Sequence, residues 1–140
     1  MDNSNMPRIK IGLSLFTDIE DREMMENINR LMEIPPTSCT LKGEPRHNTK
    51  NAHYNCSTWY YSTDYVYCLH LEDVVNLLLH LFEDKVSCIK MFEEKYQMEA
   101  LIDVCIVFGK EVIPSMMLDS SFISFANNIN ATIDIDCYKQ

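Results

Sequence analysis

Glycine is nearly missing from this sequence. Gly12, Gly43 and Gly109 are the only three among 140 residues. A phosphate-cradling loop or a dinucleotide fingerprint needs closely spaced glycines so that backbone can approach the phosphates, and none of the three sits in such a run. That argues against the common nucleotide enzymes. No nucleophile-elbow motif is present either. Basic charge is also scarce: 12 Lys and Arg stand against 21 Asp and Glu, a net charge of −9. This balance disfavours nucleic acid and anionic membrane as direct partners, and it favours another protein, a basic one. Acidity of this degree also serves solubility alone. Long apolar runs are missing. The stretch 11–16 is short, interrupted by Gly12 and Ser14, and followed by acidic residues. It is neither a signal peptide nor a membrane span, so a cytoplasmic location is expected.

Cysteine is present but without a framework. Cys39, Cys56, Cys68, Cys88, Cys105 and Cys137 show no disulfide-scaffold spacing, and the chain is too large and apolar to need one. All six are read as reduced thiols. Cys88, Cys105 and Cys137 fall within periodic elements, where a thiol acts as a small hydrophobe. Hydrophobic residues make up 46% of the chain. That composition and length predict a single domain over residues 8–140, behind a polar, disordered stretch 1–7.

The strongest pattern lies at 71–96. On a helix, Leu71, Val74, Val75, Leu78, Phe82, Ile89, Phe92 and Tyr96 form one stripe. Burying each contributes roughly 1.5–3 kcal/mol before entropy. One straight helix would run about 39 Å at ~1.5 Å per residue, as wide as the domain itself. Lys85 falls on the stripe, so a break near Asp84–Lys85 is expected. Elsewhere, 8–16 alternates as a strand with one covered face. Thr17 and Glu20 suggest a capping box for a helix over 18–33, stopped by Pro35 and Pro36. Short strands are expected at 39–42 and 57–62. Residues 100–108 read as a central strand, and 112–118 as its hairpin partner, with Pro114 marking an edge. Asp119 or Ser120 caps a helix carrying Phe122, Phe125, Ala126 and Ile129, which Asn130 stops. Ile133, Ile135 and Cys137 point inward from a last strand, Asp134, Asp136 and Tyr138 outward. The predicted fold is α+β: a mostly antiparallel sheet with helices on one face. Its core is a ferredoxin-like βαββαβ unit with strand-helix-strand appended.

Several of these segments carry a resemblance. The helix ending in Ile34-Pro35-Pro36-Thr37 is followed by Lys42-Gly43-Glu44, then by Trp59-Tyr60-Tyr61-Ser62. The chain closes with Ile133-Asp134-Ile135-Asp136-Cys137-Tyr138. Together with the alternating first strand, this resembles the uncharacterised bacterial family called domain of unknown function 4279, from about Arg8 to Tyr138. The resemblance implies one domain of this fold and a bacterial, cytosolic origin. It supplies no activity, cofactor or catalytic residue. Where the family often has proline between the two middle helices, this chain has Asp84-Lys85-Val86.

Candidate chemistry is sparse. Asp134 and Asp136 project from one face of the last strand, and Asp103 joins them if the two strands are neighbours. Clustered carboxylates can hold Mg²⁺ or act as acid and base, form an acidic docking surface, or simply be a solvated strand face. Trp59, Tyr60, Tyr61, Tyr65 and Tyr67 are dense in hot-spot residue types. Half of them must face the helices, leaving two or three for a partner. Residues 37–55 form a basic loop, with Lys42, Arg46 and Lys50 against Glu44. Cys39, His47, His53 and Cys56 there are of zinc-ligand type but match no common zinc spacing, and a Cys–His nucleophile pair has no further support. No metal and no cofactor is therefore assigned. Two readings follow. The first is a non-enzymatic protein-binding module, most concretely an immunity-type protein neutralising a basic toxin, contacting it through Asp103, Asp134, Asp136, Tyr60, Tyr65 and Tyr67. The second is a small-molecule binder or enzyme with a pocket lined by His47, His53, Trp59 and Tyr61. An accessory domain with neither role is the plain alternative, and oligomeric state is left open.

Overall fold

In strand β1 (Arg8–Thr17), Ile9, Ile11, Leu13 and Leu15 have no exposed surface, while Lys10, Ser14 and Phe16 are half-exposed on the opposite side. The computed structural model describes residues 3–47 and 51–140. Helix α1 (Arg22–Met32) starts later than the capping box predicts. Asp21 caps it by accepting from the Glu23 amide at 2.9 Å. Thr17 has another use: its hydroxyl donates to the Tyr96 carbonyl at 2.7 Å and accepts from the Ile19 amide at 3.3 Å. A partner 79 positions away has displaced the local cap.

Strands β2 (Ser38–Thr40), β3 (Ser57–Ser62) and β4 (Val66–Tyr67) follow. The long apolar stripe is divided into α2 (Leu71–Phe82) and α3 (Val86–Tyr96). Lys85 falls in the break, where its Nζ reaches Glu33 Oε2 at 3.8 Å. A continuous helix would have aimed that ammonium into the core, at a desolvation cost that the break avoids. Strand β5 (Glu99–Val107), α4 (Ser120–Asn128) and β6 (Thr132–Tyr138) complete the chain. Asp119 caps α4, accepting from the Phe122 amide at 3.0 Å, and Asn130 takes the left-handed position after it, at φ 51°.

The sheet order is β2-β3-β1-β5-β6, with β4 also beside β1. All pairs are antiparallel except β5 with β6. The domain is α+β. Buried side chains of all four helices share one core with the Ile9–Leu15 row, Trp59 and the Ala100–Ile106 row. Among the described residues, no helix lies on the other face of the sheet.

Two expectations are corrected. Residues 112–118 are not a hairpin strand. Both edges of β5 are taken, by β1 and β6, and a parallel neighbour demands the crossover through α4. The segment docks instead at the start of α2: Ser115 donates to the Leu69 carbonyl at 2.7 Å and accepts from the Leu71 amide at 2.9 Å. The inward side of β6 is covered at Ile133, which packs against the core, but not beyond it. Ile135 is 41% exposed and Cys137 is exposed, on the last strand of the sheet. Asn3–Asn5 form a 3-10 turn beside the segment after β5. Asn5 Oδ1 accepts from the Glu111 amide at 2.8 Å. The Asn5 carbonyl oxygen would lie 1.9 Å from a Cβ on Gly109, so only glycine fits there. Met1 and Asp2 lie outside the described residues, as do residues 48–50, including Lys50 of the basic loop.

Candidate functional site

Register decides what shares the helix-free face. Gly12 pairs with Asp103, and Asp103 with Asp134; Lys10 pairs with Cys105, and Cys105 with Asp136. Ser14 pairs with Tyr60, and Arg8 with Tyr67. Because side chains alternate, all of these lie on one face, opposite the core. Adjacency of β5 and β6 is what brings Asp103 beside Asp134 and Asp136. Cations lie on β1 and carboxylates on β5 and β6.

Tyr60 reaches across β1. Its hydroxyl donates to Asp103 Oδ2 at 3.3 Å, and its ring passes over Gly12. A Cβ on Gly12 would meet Tyr60 Cε2 and Oη at 2.7 Å and Asp103 Oδ1 at 2.8 Å. The absence of a side chain there is what lets Tyr60 lie flat. Burial pushes the Asp103 carboxyl above its ordinary range; the Tyr60 hydroxyl and Lys10 oppose that shift, and Asp134 adds to it. Burial, and then the charge of Asp103, push the Tyr60 phenol up as well. Tyr65 packs beside this pair, its ring 5.0 Å from Arg8 Cζ and 4.8 Å from Lys10 Nζ, its hydroxyl 3.2 Å from Cys105 Sγ. Cation–π contacts at exposed sites contribute roughly 0.5–1 kcal/mol. Tyr65, Tyr67 and Tyr138 are all exposed.

The Asp103 shift has a sign that can be tested. A carboxyl with a raised pKa in the folded state binds its proton more tightly there than in the unfolded chain. Stability therefore falls as pH rises from the ordinary aspartate value of 3.8 through the raised one, then levels. Denaturant midpoints across this range should show wild type losing ground to Asp103→Asn as pH rises. A pH-independent difference between the two would contradict the burial of this carboxyl.

The other named residues fall elsewhere. Trp59 has no exposed surface; its Nε1 donates to Asn29 Oδ1 at 2.9 Å, and its ring meets Phe82 edge-on at 6.1 Å. Tyr61, also on the helix side, meets Phe82 at 5.5 Å. His47 and His53 are exposed in the loop between β2 and β3, where His53 bridges to Pro45. A side chain without exposed surface cannot line an open pocket, so these four do not form one. Cys39 Sγ donates to Asn29 Oδ1 at 3.7 Å, and Cys56 Sγ pairs with Thr58 Oγ1 at 3.5 Å. Among the described residues, no three His, Cys, Asp or Glu side chains come together to hold a metal. None of the described helices is long and apolar enough to cross a membrane. All six cysteines are free.

Sequence reasoning missed Gly12, Lys10 and Cys105, although the alternation of β1 and β5 placed them on this face. The family model for Domain of unknown function (DUF4279) matches residues 8–140. The chain belongs to this family. No curated protein and no solved structure matches it. The DUF4279 match runs from the first residue of β1 to past the end of β6, so the whole sheet and its helix-free face lie inside the family domain. The family description carries no activity, so no residue inherits a role from it.

Proposed function

We propose that this protein is a non-enzymatic binding module that receives a basic protein on the helix-free face of its sheet. An immunity-type protein neutralising a basic toxin in the cytoplasm is the most concrete form of that reading. What supports it is the gathering of Asp103, Asp134 and Asp136 with Tyr60, Tyr65 and Tyr67 on one uncovered face. Carboxylates speed encounter with a basic partner, and aromatic side chains set how long it stays. The β6 edge favours such a partner over a second copy. Antiparallel self-pairing centred on Ile135 would set Asp134 against Asp136 across the join, two like-charge pairs. Free thiols fit a reducing compartment. The pocket alternative loses its support with the burial of Trp59.

The test uses a basic protein captured from the native host and then purified. The double variant Asp134→Asn, Asp136→Asn should bind it with an association rate lower by roughly five-fold or more at low salt, and with a flatter salt dependence. Its circular dichroism should match wild type. Tyr67→Ala should raise the dissociation rate, on the order of ten-fold if it is a hot spot. Unchanged kinetics in both variants would place the partner elsewhere and remove this reading.

A further inference from the structure

Strand β6 ends the sheet on one side, and among the described residues no strand pairs with its outer edge. The other side ends on β2, which is three residues long. A short strand is one way in which proteins blunt an edge. β6 is not blunted: it runs seven residues without proline, lysine or arginine.

Register shows which backbone groups this edge leaves open. The Phe108 amide donates to the Tyr138 carbonyl at 2.8 Å, and Tyr138 is registered against Val107 of β5. The N–H and C=O of one strand residue point the same way, and the direction alternates along the chain. The backbone groups of Asp134, Asp136 and Tyr138 therefore face β5. Those of Ile133, Ile135 and Cys137 face outward, with no strand to meet them.

The side chains on the edge are sorted as well. Asp134 and Asp136 stand on the helix-free face, and among the described residues neither has an ion-pair partner. Ile135 and Cys137 are exposed on the other face. A strand laid along β6 would set its own side chains directly opposite these, on the same two faces. Opposite charges across such a join are favourable and like charges are not. The complement is therefore cationic at alternate positions and apolar between them. A second copy of this chain brings carboxylates where cations are needed.

We propose that β6 receives an extended segment of a basic protein, in which Lys or Arg alternates with apolar residues, as an added strand of the sheet. The proposal rests on the reading of a basic protein partner and states how that partner is held. Main-chain hydrogen bonds to Ile133, Ile135 and Cys137 supply affinity, and the alternation of side chains selects the partner.

The experiment uses the full chain with a reductant, and a short capped peptide of alternating lysine and valine as probe. Amide exchange by NMR reads the edge directly. In the free chain the amides of Ile133, Ile135 and Cys137 should exchange fast, and those of Asp134, Asp136 and Tyr138 slowly. Saturating peptide should slow the first set at least ten-fold. A glutamate–valine analogue, and a peptide with all its lysines before its valines, should bind at least ten-fold more weakly. Two further analogues are N-methylated, one at the lysine amides and one at the valine amides. Whichever direction the added strand runs, one of these sets faces β6, so one analogue should lose at least ten-fold in affinity and the other little. Ile135→Pro removes an outward N–H without touching a bond to β5, which an edge strand tolerates. It should also lower affinity at least ten-fold, with an unchanged circular dichroism spectrum. Should that variant not fold, the methylated peptides decide on the wild-type chain.

Equal binding of the alternating and block peptides, equal binding of both methylated analogues, or no binding up to about 1 mM overturns the proposal. Protection of the outward amides that grows with the concentration of the chain alone assigns the edge to a second copy and overturns it too. If the captured basic protein still associates more slowly with the Asp134→Asn, Asp136→Asn variant, the helix-free face remains its site and only the added strand falls.

Discussion

Trp59→Ala is expected to remove about 3–5 kcal/mol of folding stability, in the range for a fully buried aromatic truncated to a methyl group. For a chain of this size that is a fall of roughly 10 °C in Tm. Trp59 lies in the centre of β3, paired with Leu15 on one side and Cys39 on the other. It is the largest side chain in the core and contributes an edge-on contact to Phe82 of α2. Its loss would leave a void between sheet and helices that close-packed neighbours fill only partly. Trp59→Phe should cost markedly less. It keeps an aromatic ring against Phe82, and Asn29, exposed on α1, can turn its freed oxygen to water. Thermal melts followed by circular dichroism measure both. A loss below about 1 kcal/mol for the alanine variant would mean that Trp59 is not packed in the core, and would reopen the pocket reading.

Core positions of this kind were legible in the sequence, because they repeat with the period of their element. The 71–96 stripe named seven side chains that are buried, from Leu71 to Phe92, and Lys85 marked where the helix had to break. Asp119 and Asn130 bracketed α4 because a cap and a left-handed stop are local chemistry. Legibility ended where the deciding partner was distant. Thr17 looks like a helix cap until Tyr96 is beside it. Residues 112–118 have strand composition, yet no strand edge was left to receive them. Ile135 and Cys137 alternate like core residues, but the cover that reaches Ile133 does not extend to them. At the site, Asp134 and Asp136 could be read as one face from period two alone. Their union with Asp103 waited on strand order, and Tyr60 over Gly12 waited on register.

Gly12→Ala should be destabilising by about 1–3 kcal/mol, although alanine is the better residue in an ordinary strand. The backbone of Gly12 is not in the left-handed region, so strain is not the cause. The obstacle is Tyr60, which a new methyl would meet at 2.7 Å. Something must move, and the mobile part is the tyrosine side chain. Expelling it would break the hydrogen bond to Asp103 and uncover that carboxyl. Two consequences follow from the one displacement. The Asp103 pKa should fall back toward its ordinary value, because burial was the main force raising it. The cost should also depend on Tyr60 being there. In a Tyr60→Ala background only the contact with Asp103 Oδ1 at 2.8 Å remains, which a turn of that carboxyl relieves, and Gly12→Ala should cost markedly less. A double-mutant cycle by urea denaturation reads this directly, as a coupling between the two positions on the order of 1 kcal/mol or more. Additive costs in the cycle, together with an Asp103 titration by carboxyl NMR that does not move in Gly12→Ala, would mean that Tyr60 does not lie across β1.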